Sequence, residues 1–396
     1  MSALISPPAP GGSGPGPVVG RLLRSRLAAA LATPHGVDRY LERFNPMWAA
    51  HEVRARVVSV HRETSGDAAT GSAPVATLTL QPTSTWRGHR AGQHVLVGVE
   101  LPGTAKRHTR AFSISSAASA PGERFTLTIR AHDEGQVSSY LVREARPGQL
   151  LHLSQAQGAF TLIESPATPT ISRLLFITGG SGITPAMSMV RTLLRDGYDG
   201  HAGRKVTFLH FARGPEDQIF ADELAAIAEA DNGVDVHLRY GDQRFSEFEL
   251  RRLVPDYRDT DTWLCGPAGL VELVKDAYAG PESSGGALSP RLRMEFFKPA
   301  VARAAQPADG EELTGEVTFA RSGASAPASG TSLLQQAEEL GLKPDFGCRM
   351  GICFSCTRTK TAGAVRNVLT GEESSLPDEE IRICVTAAAG DCHIDL

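Results

Sequence analysis

From Glu52 to about Glu164 the apolar residues come in short stretches set between Gly and Pro turns. Val53-Arg54-Ala55-Arg56-Val57-Val58, Ala76-Thr77-Leu78-Thr79-Leu80 and Phe125-Thr126-Leu127-Thr128-Ile129-Arg130 alternate, or run with β-branched residues, in the manner of strands. Closely spaced strands of this kind predict a small antiparallel barrel. From Arg173 to about Pro299 the texture changes. An apolar run, Leu174 to Ile177, feeds a glycine turn, and a helical pattern follows over Pro185 to Leu194. Val206 to Phe211, Val234 to Leu238 and Trp263 to Cys265 read as further strands, with a helix near Phe220 to Ala228. Strands alternating with helices predict an α/β domain built on a parallel sheet.

Residues 1 to 47 form an N-terminal extension: a Pro/Gly/Ser-rich tail from Pro7 to Pro17 that reads as disordered, then a short helix over Val18 to Leu31. Five Arg stand against Asp38 and Glu42 in the first fifty residues. A basic amphipathic stretch of this kind either lies on an anionic membrane surface or packs across a neighbouring domain. The remaining boundaries are 48–165 for the barrel, 166–300 for the parallel-sheet domain, 301–310 for a polar linker and 311–396 for a last domain. From Val301 to Leu396 there are 8 Lys/Arg and 14 Asp/Glu, so most of the negative charge sits in the final quarter.

At 396 residues the chain is long enough for two or three cores. Its net charge of −4 speaks against neutralising nucleic-acid phosphates. No stretch reaches the ~18 apolar residues of a membrane span, and the basic-then-apolar layout of a secretory signal is missing. The six cysteines gather late in the chain, five after residue 340 and the sixth at Cys265. That is no disulfide framework, so the expectation is a cytoplasmic protein with reduced thiols.

Those cysteines carry the strongest signal. Cys348, Cys353 and Cys356 are spaced by four and then two residues, and Cys384 follows 28 positions on. This is the plant-type spacing for a [2Fe–2S] cluster. Three thiolates on one tight loop reach two irons, the fourth closes the site from another element, and Gly347 and Gly351 let backbone N–H groups turn toward the sulfurs. A structural zinc site would more often show two Cys-x-x-Cys pairs. Cys392 falls outside the spacing and reads as a buried or free thiol. The segment resembles a plant-type ferredoxin, which implies an α+β domain of β-grasp fold; Phe354 stands where many ferredoxins carry glycine.

A second signal is Thr178-Gly179-Gly180-Ser181-Gly182-Ile183-Thr184-Pro185, directly after a strand and opening a helix, where backbone amides and the helix dipole suit a diphosphate. Cys265-Gly266-Pro267 ends the last predicted strand, so both motifs fall at carboxyl ends of parallel strands. Together they resemble the pyridine-nucleotide motifs of the ferredoxin–NADP reductase superfamily. The resemblance implies that Gly179 to Pro185 face the cofactor diphosphate and that Cys265, Gly266 and Pro267 lie near the nicotinamide. It also implies a preceding flavin domain. Arg110-Ala111-Phe112-Ser113 resembles the Arg-x-Tyr-Ser flavin motif, Phe112 replacing the usual tyrosine. By that likeness Arg110 pairs with the diphosphate and Ser113 bonds the isoalloxazine. Thr128-Ile129-Arg130 and Gly135-Gln136-Val137-Ser138-Ser139 match the segments that cradle phosphates, and with the second of these present FAD is favoured over FMN. Arg293-Met294-Glu295-Phe296-Phe297 resembles the closing Glu-x-Phe segment, with Glu295 near the nicotinamide. Ser113, Cys265 and Glu295 are the expected catalytic residues. Arg213, with Arg239 or Arg244 nearby, stands where a 2′-phosphate would lie, so NADPH is expected, with NADH as the alternative.

The implied chemistry is an NAD(P)H-dependent oxidoreductase that divides a hydride into single electrons. For the acceptor, Asn45 to Trp48, Glu52 to Val57, Trp86 to Gln93 and the cysteine loop resemble bacterial oxidoreductases that feed membrane fatty-acyl desaturases. The expected partner is therefore a desaturase or another oxygenase, with peripheral attachment at the inner membrane face. The rivals are a reductase for a soluble Rieske-type or diiron oxygenase, a non-enzymatic redox sensor and a flavohaemoglobin-like oxidase.

Overall fold

The computed structural model describes residues 37–67, 69–101, 107–132, 135–162, 173–200, 205–279, 289, 291–296, 315–346, 351, 356–369, 371 and 373–396. The expected helix over Val18 to Leu31, the 301–310 linker, Gly347, Cys348, Cys353, Phe354 and Phe297 lie outside the described residues.

Strands β1 (Val53–Thr64), β2 (Val75–Pro82), β3 (His94–Glu100), β4 (Arg107–Ser113), β5 (Phe125–Arg130) and β6 (Leu150–Leu153) pair antiparallel in the order β4-β3-β6-β1-β2-β5. A bridge between Ile114, just past β4, and Leu127 on β5 joins the two ends of that order, so the sheet closes and its edges disappear. The alternation read from sequence matches the inside and outside of this barrel. Val57, Leu78, Leu80, Val95, Val97 and Leu127 are buried, and Trp86 joins them, stacked on Phe125 with centroids 4.7 Å apart.

Helix α1 (Val37–Phe44) precedes the barrel; Val37, Tyr40, Leu41 and Phe44 recur along it at helical spacing, and Val37 and Leu41 pack with Ala50. Polar contacts hold the segment. The Asp38 carboxylate accepts the N–H groups of Ala50, His51 (3.0 Å) and Glu52 (3.1 Å). On β1, the Arg54 side chain has no exposed surface; it lies 3.0 Å from Glu42 and donates to the Trp48 carbonyl at 2.6 Å. Residues 37–52 are thus built onto the first strand.

The chain divides into two compact units, Met1–Glu164 with Met187–Tyr198, and Ser165–Ala186 with Asp199–Leu396. In the first unit α2 (Gln136–Arg143) packs on β5. Residues 187–198 belong to α3 (Ile183–Arg195) and the turn after it, and they bind barrel loops: Ser188 Oγ donates to Ser116 O at 2.6 Å and the Ala118 N–H to Thr192 Oγ1 at 2.9 Å.

The second unit holds a wholly parallel sheet of β7 (Arg173–Gly179), β8 (Lys205–Ala212), β9 (Val234–Tyr240), β10 (Asp261–Gly266) and β11 (Leu292–Phe296), ordered β11-β10-β7-β8-β9. Helices α4 (Ala221–Glu229), α5 (Glu247–Leu253) and α6 (Ala268–Ala279) connect its strands. The segment read from sequence as a closing motif at Arg293 forms this sheet's fifth strand.

The remaining residues of that unit form a mixed sheet of β12 (Glu316–Phe319), β13 (Ala324–Pro327), β14 (Thr357–Asn367), β15 (Glu373–Ser374), β16 (Glu379–Arg382) and β17 (Thr386–Ile394), with α7 (Leu333–Glu339) on its core. β12 and β17 run parallel and the other pairs antiparallel, so the α+β expectation holds. Among the described residues no helix is long and apolar enough to cross a membrane.

Asp38→Ala strips three backbone amides of their shared acceptor, and the expected loss is about 2–4 kcal/mol of barrel stability. Thermal unfolding followed by tryptophan fluorescence checks this against exposed Arg39→Ala, which should stay within about 0.5 kcal/mol of wild type. Equal melting of the two variants would remove α1 from the barrel's foundation.

Candidate cofactor sites

On β4, residues 108–112 are all half-buried, whereas β1, β2, β3 and β5 each send several residues fully inside. A strand with partial cover along its length is a strand with space beside it. Arg110 sits there, its Nη1 donating to Thr109 O at 2.8 Å, and Phe112 packs against the barrel core. Ser113 is buried opposite His94. Ala111 pairs with Leu96.

The second flavin segment is assembled differently from its expected role. The Thr128 hydroxyl is spent inside the barrel, 2.7 Å from Thr77 Oγ1 and 2.8 Å from Ser115 Oγ. Ile129 and Val137 are core residues, so only their backbones can meet a ligand; Arg130 is half-buried and Gln136 exposed. Ser138 Oγ donates to Gly135 O at 3.0 Å and Ser139 Oγ to His132 O at 2.7 Å, so both hydroxyls shape the turn into α2. A Cβ at Gly135 would come within 2.5 Å of Ser138 Oγ. Gly135 is the N-cap of α2 and has no side chain with which to cap it. The first-turn amides are what this segment offers a phosphate.

The parallel sheet brings its two motifs into contact. A Cβ on Gly182 would lie 2.2 Å from the Cys265 carbonyl oxygen, and one on Gly179 would lie 2.8 Å from Pro267 Cδ. Gly266 and Gly179 touch in the same way, a Cβ on the first falling 3.0 Å from the backbone nitrogen of the second. These glycines are required by the approach of one strand end to another before any ligand is considered. Gly180 takes positive φ, +53°, in a 3-10 turn over Gly180–Gly182, and Thr184 Oγ1 donates to Ser181 O at 3.0 Å. Ile183 is fully buried, and Pro185 lies in the first turn of α3.

Across this edge four polar residues stand in register: Glu295 opposite Cys265, Cys265 opposite Thr178, and Thr178 opposite His210. Partners in parallel strands present side chains to the same face, about 4.8 Å apart. Each titratable member of the row is shifted toward its uncharged form. Burial pushes the Cys265 thiol well above its ordinary range, with the Glu295 charge adding to it. Glu295, whose Oε2 is shut off from solvent, is pushed up to about 8 by burial. His210 is pushed down to about 3 by burial, and its Nδ1 lies 2.7 Å from Thr178 Oγ1. His210 escaped the sequence reading because only the register of two distant strands sets it beside Thr178. Beneath the polar row, Trp263, Phe176 and Phe208 pack ring to ring at 5.4 and 5.9 Å, and the Arg293 guanidinium covers Trp263.

Arg213 is exposed after β8, where its carbonyl accepts the Gly241 N–H at 2.9 Å, so the loops after β8 and β9 meet. Arg239, one of its two suggested helpers, is taken: its Nε donates to Glu249 at 2.7 Å and its Nη2 binds the same oxygen. Arg244 is exposed on the adjoining loop.

Of the four candidate cluster ligands, Cys356 and Cys384 are described and both are buried. The Ile383 N–H donates to Cys356 O at 3.3 Å, which ties the two ligand segments together, and the Gly351 N–H donates to Cys384 Sγ at 3.2 Å. Gly351 has φ +73°, and a Cβ there would strike Val385 Cγ2 at 2.7 Å. Buried thiol sulfurs approached by a backbone N–H fit the needs of a thiolate-held cluster. Cys392 lies in the core of this domain, its thiol pushed up to about 11 by burial.

A barrel with an open strand, a sheet edge built to take a dinucleotide and a cysteine-bearing β domain define a flavin-dependent iron–sulfur oxidoreductase. Family models agree on all three parts: an oxidoreductase FAD-binding domain over residues 67–162, an oxidoreductase NAD-binding domain over 176–276 and a 2Fe-2S iron-sulfur cluster binding domain over 317–389. The chain is 38% identical to an NADPH oxidoreductase of Mycobacterium tuberculosis over 94% of its own length and 91% of that protein's. It is 30% identical to the glycine betaine monooxygenase reductase subunit of Pseudomonas aeruginosa, over 77% of this chain and 87% of that one. Phthalate dioxygenase reductase shares its fold with a TM-score of 0.53 and 21% identity, covering 87% of this chain and 98% of that structure. The chain belongs to the ferredoxin–NADP reductase superfamily, as a flavin, NAD(P) and [2Fe–2S] fusion, and its cofactors are FAD, NAD(P)H and a [2Fe–2S] cluster.

Folding favours the protonated form of Glu295, so the native protein keeps a proton that the unfolded chain sheds above about pH 4.5. Stability therefore falls as pH climbs from 4.5 toward 8. Glu295→Gln has no such loss: its lead over wild type should be small near pH 4.5 and grow to about 4 kcal/mol by pH 8. Melting temperatures of both proteins across that range decide it. A lead that shrinks as pH rises would show that Glu295 is held as a carboxylate.

Proposed function

We propose that this reductase takes hydride from NADPH and passes electrons singly to a separate oxygenase. The observation that carries the reading is the presence, on one chain, of the neutral Cys265–Glu295 sheet edge and of the Cys356–Cys384 pair beneath the Gly351 amide. The first suits hydride from a nicotinamide and the second a one-electron outlet. When bound, the flavin and cluster supply the redox chemistry. The protein's part is to place them. Arg110 and the open amides at the start of α2 would hold the FAD diphosphate, Ser113 the isoalloxazine, and the Gly179–Gly182 turn the nucleotide diphosphate. Cys348 and Cys353 would complete the ligand set with Cys356 and Cys384.

An oxygenase acceptor is supported by the relative that serves a glycine betaine monooxygenase. A membrane fatty-acyl desaturase is a narrower reading, carried by the resemblance of Asn45 to Trp48, Glu52 to Val57 and Trp86 to Gln93 alone. Residues 37–52 serve the barrel itself, which leaves 1–36 as the segment free for a membrane role. Deleting 1–36 should leave NADPH-driven cytochrome c reduction unchanged. Turnover is then compared with a detergent-free membrane desaturase and with a soluble Rieske-type oxygenase. Loss confined to the membrane partner supports the desaturase, and full coupling to the soluble one supports the wider reading. Failure to reduce cytochrome c with either nucleotide, in protein carrying flavin, iron and sulfide, would overturn both.

The nucleotide preference rests on Arg213. Arg213→Ala should raise KM for NADPH roughly tenfold, the worth of one charge-assisted phosphate contact, and leave KM for NADH nearly unmoved. Equal effects on both nucleotides would take the 2′-phosphate away from this side chain.

A further inference from the structure

The cluster domain contains a cation placed on the ligand loop itself. Arg382 ends β16, two residues before Cys384, and is paired in register with Thr357, the residue after Cys356. Its Nη1 donates to the Gly351 carbonyl at 2.6 Å. Gly351 in turn directs its N–H to Cys384 Sγ at 3.2 Å. One residue of the loop is thus gripped on both sides, its carbonyl by a guanidinium and its amide by a ligand sulfur. The left-handed conformation of Gly351, φ +73°, is what turns these two groups in different directions, and Val385 leaves no room for a side chain there. The Thr386 hydroxyl donates to the Arg382 carbonyl at 2.9 Å and steadies the backbone that carries the guanidinium.

Two physical consequences follow. A guanidinium remains charged at every working pH, and Arg382 is half-buried, so its field reaches the sulfur with less screening than a surface charge would have. Reducing a thiolate-held cluster adds one negative charge, and a fixed cation with an aligned peptide dipole favours that added charge. We propose that Arg382 is a positioning residue that fixes Gly351 beside Cys384 and raises the reduction potential of the cluster. The proposal rests on the cluster reading given above. Its role would be to make the outlet a better sink for electrons arriving from the flavin.

The test uses full-length holoprotein with Arg382→Gln and Arg382→Lys. Iron and sulfide content, the cluster's midpoint potential and its electron paramagnetic resonance signal in the reduced state are measured for each. Arg382→Gln keeps a donor without charge; the expected result is full cluster content, a potential shifted to more negative values and an altered signal. Arg382→Lys keeps the charge and should fall between that variant and wild type. An unmoved potential in Arg382→Gln with full cluster content overturns the proposal. Should Arg382→Gln lose its cluster, retention in Arg382→Lys supports the cationic grip, and loss in both makes Arg382 a packing residue and sinks it. Wild-type protein without iron and sulfide would instead overturn the cluster reading itself.

Discussion

The carbonyl oxygen of Cys265 lies where a side chain on Gly182 would have to be, and much of the nucleotide domain is organised around that exclusion. The first turn of α3 can press against the end of β10 only because a hydrogen stands in for a methyl group. The same closeness brings Gly179 against Pro267 and Gly266 against Gly179. Once the two strand ends are pinned together, the register of the whole carboxyl edge follows, from Glu295 across to His210. The glycines that read in sequence as room for a diphosphate serve first as room for protein. A substitution there would displace the thiol as well as obstruct the ligand, since the turn and the thiol-bearing strand are one packed assembly.

That edge is polar in composition and neutral in charge. An acid, a thiol, a hydroxyl and an imidazole stand side by side, and burial holds each in its uncharged form. Neutrality has a cause two residues further down the strands, where the Trp263, Phe176 and Phe208 rings exclude water from the same face. Charge is confined to the far side of Trp263, where Arg293 pairs with Asp261 at 3.0 Å. A nicotinamide changes between a neutral and a cationic ring as it gives up hydride, so a fixed net charge beside it would favour one state.

Much of this architecture was legible in the chain, and the exceptions share a cause. Alternating runs such as Ala76 to Leu80 became barrel strands because one face of each is buried, and period-two patterning records that directly. The cysteine spacing and the glycine turn are local and could be read locally. Helix α1 carries Val37, Tyr40, Leu41 and Phe44 at helical spacing, but the polar ties of Asp38 and Arg54 that fasten its segment to β1 join residues no local pattern connects. That the motif at Arg293 is also a strand was equally hidden, since the strand character of Leu292–Phe296 comes from pairing with β10, far off in sequence. His210 was invisible, and the partners of the Thr128, Ser138 and Ser139 hydroxyls could not be read, since tertiary structure sets them. Arg239, one of two alternative helpers for a 2′-phosphate, has its guanidinium committed to Glu249. Local motifs report which chemistry is present, and long-range pairing decides which atoms remain available for it.

The cysteine domain solves the opposite electrostatic problem from the nucleotide edge. Its sheet buries Lys360 without exposed side-chain surface, surrounded by the carbonyls of Gly363 and Leu376 and the Glu379 carboxylate. A buried ammonium costs several kcal/mol unless its donors are all used, and here they are spent on closing the loop between β14 and β16. That loop fixes β16 against β14, and β16 delivers Arg382 and then Cys384 to the end of β14, where Cys356 stands. One ammonium thus orders the frame and one guanidinium reaches the ligand loop. On the proposal made above, cations suit this domain because a bound cluster gains negative charge when reduced.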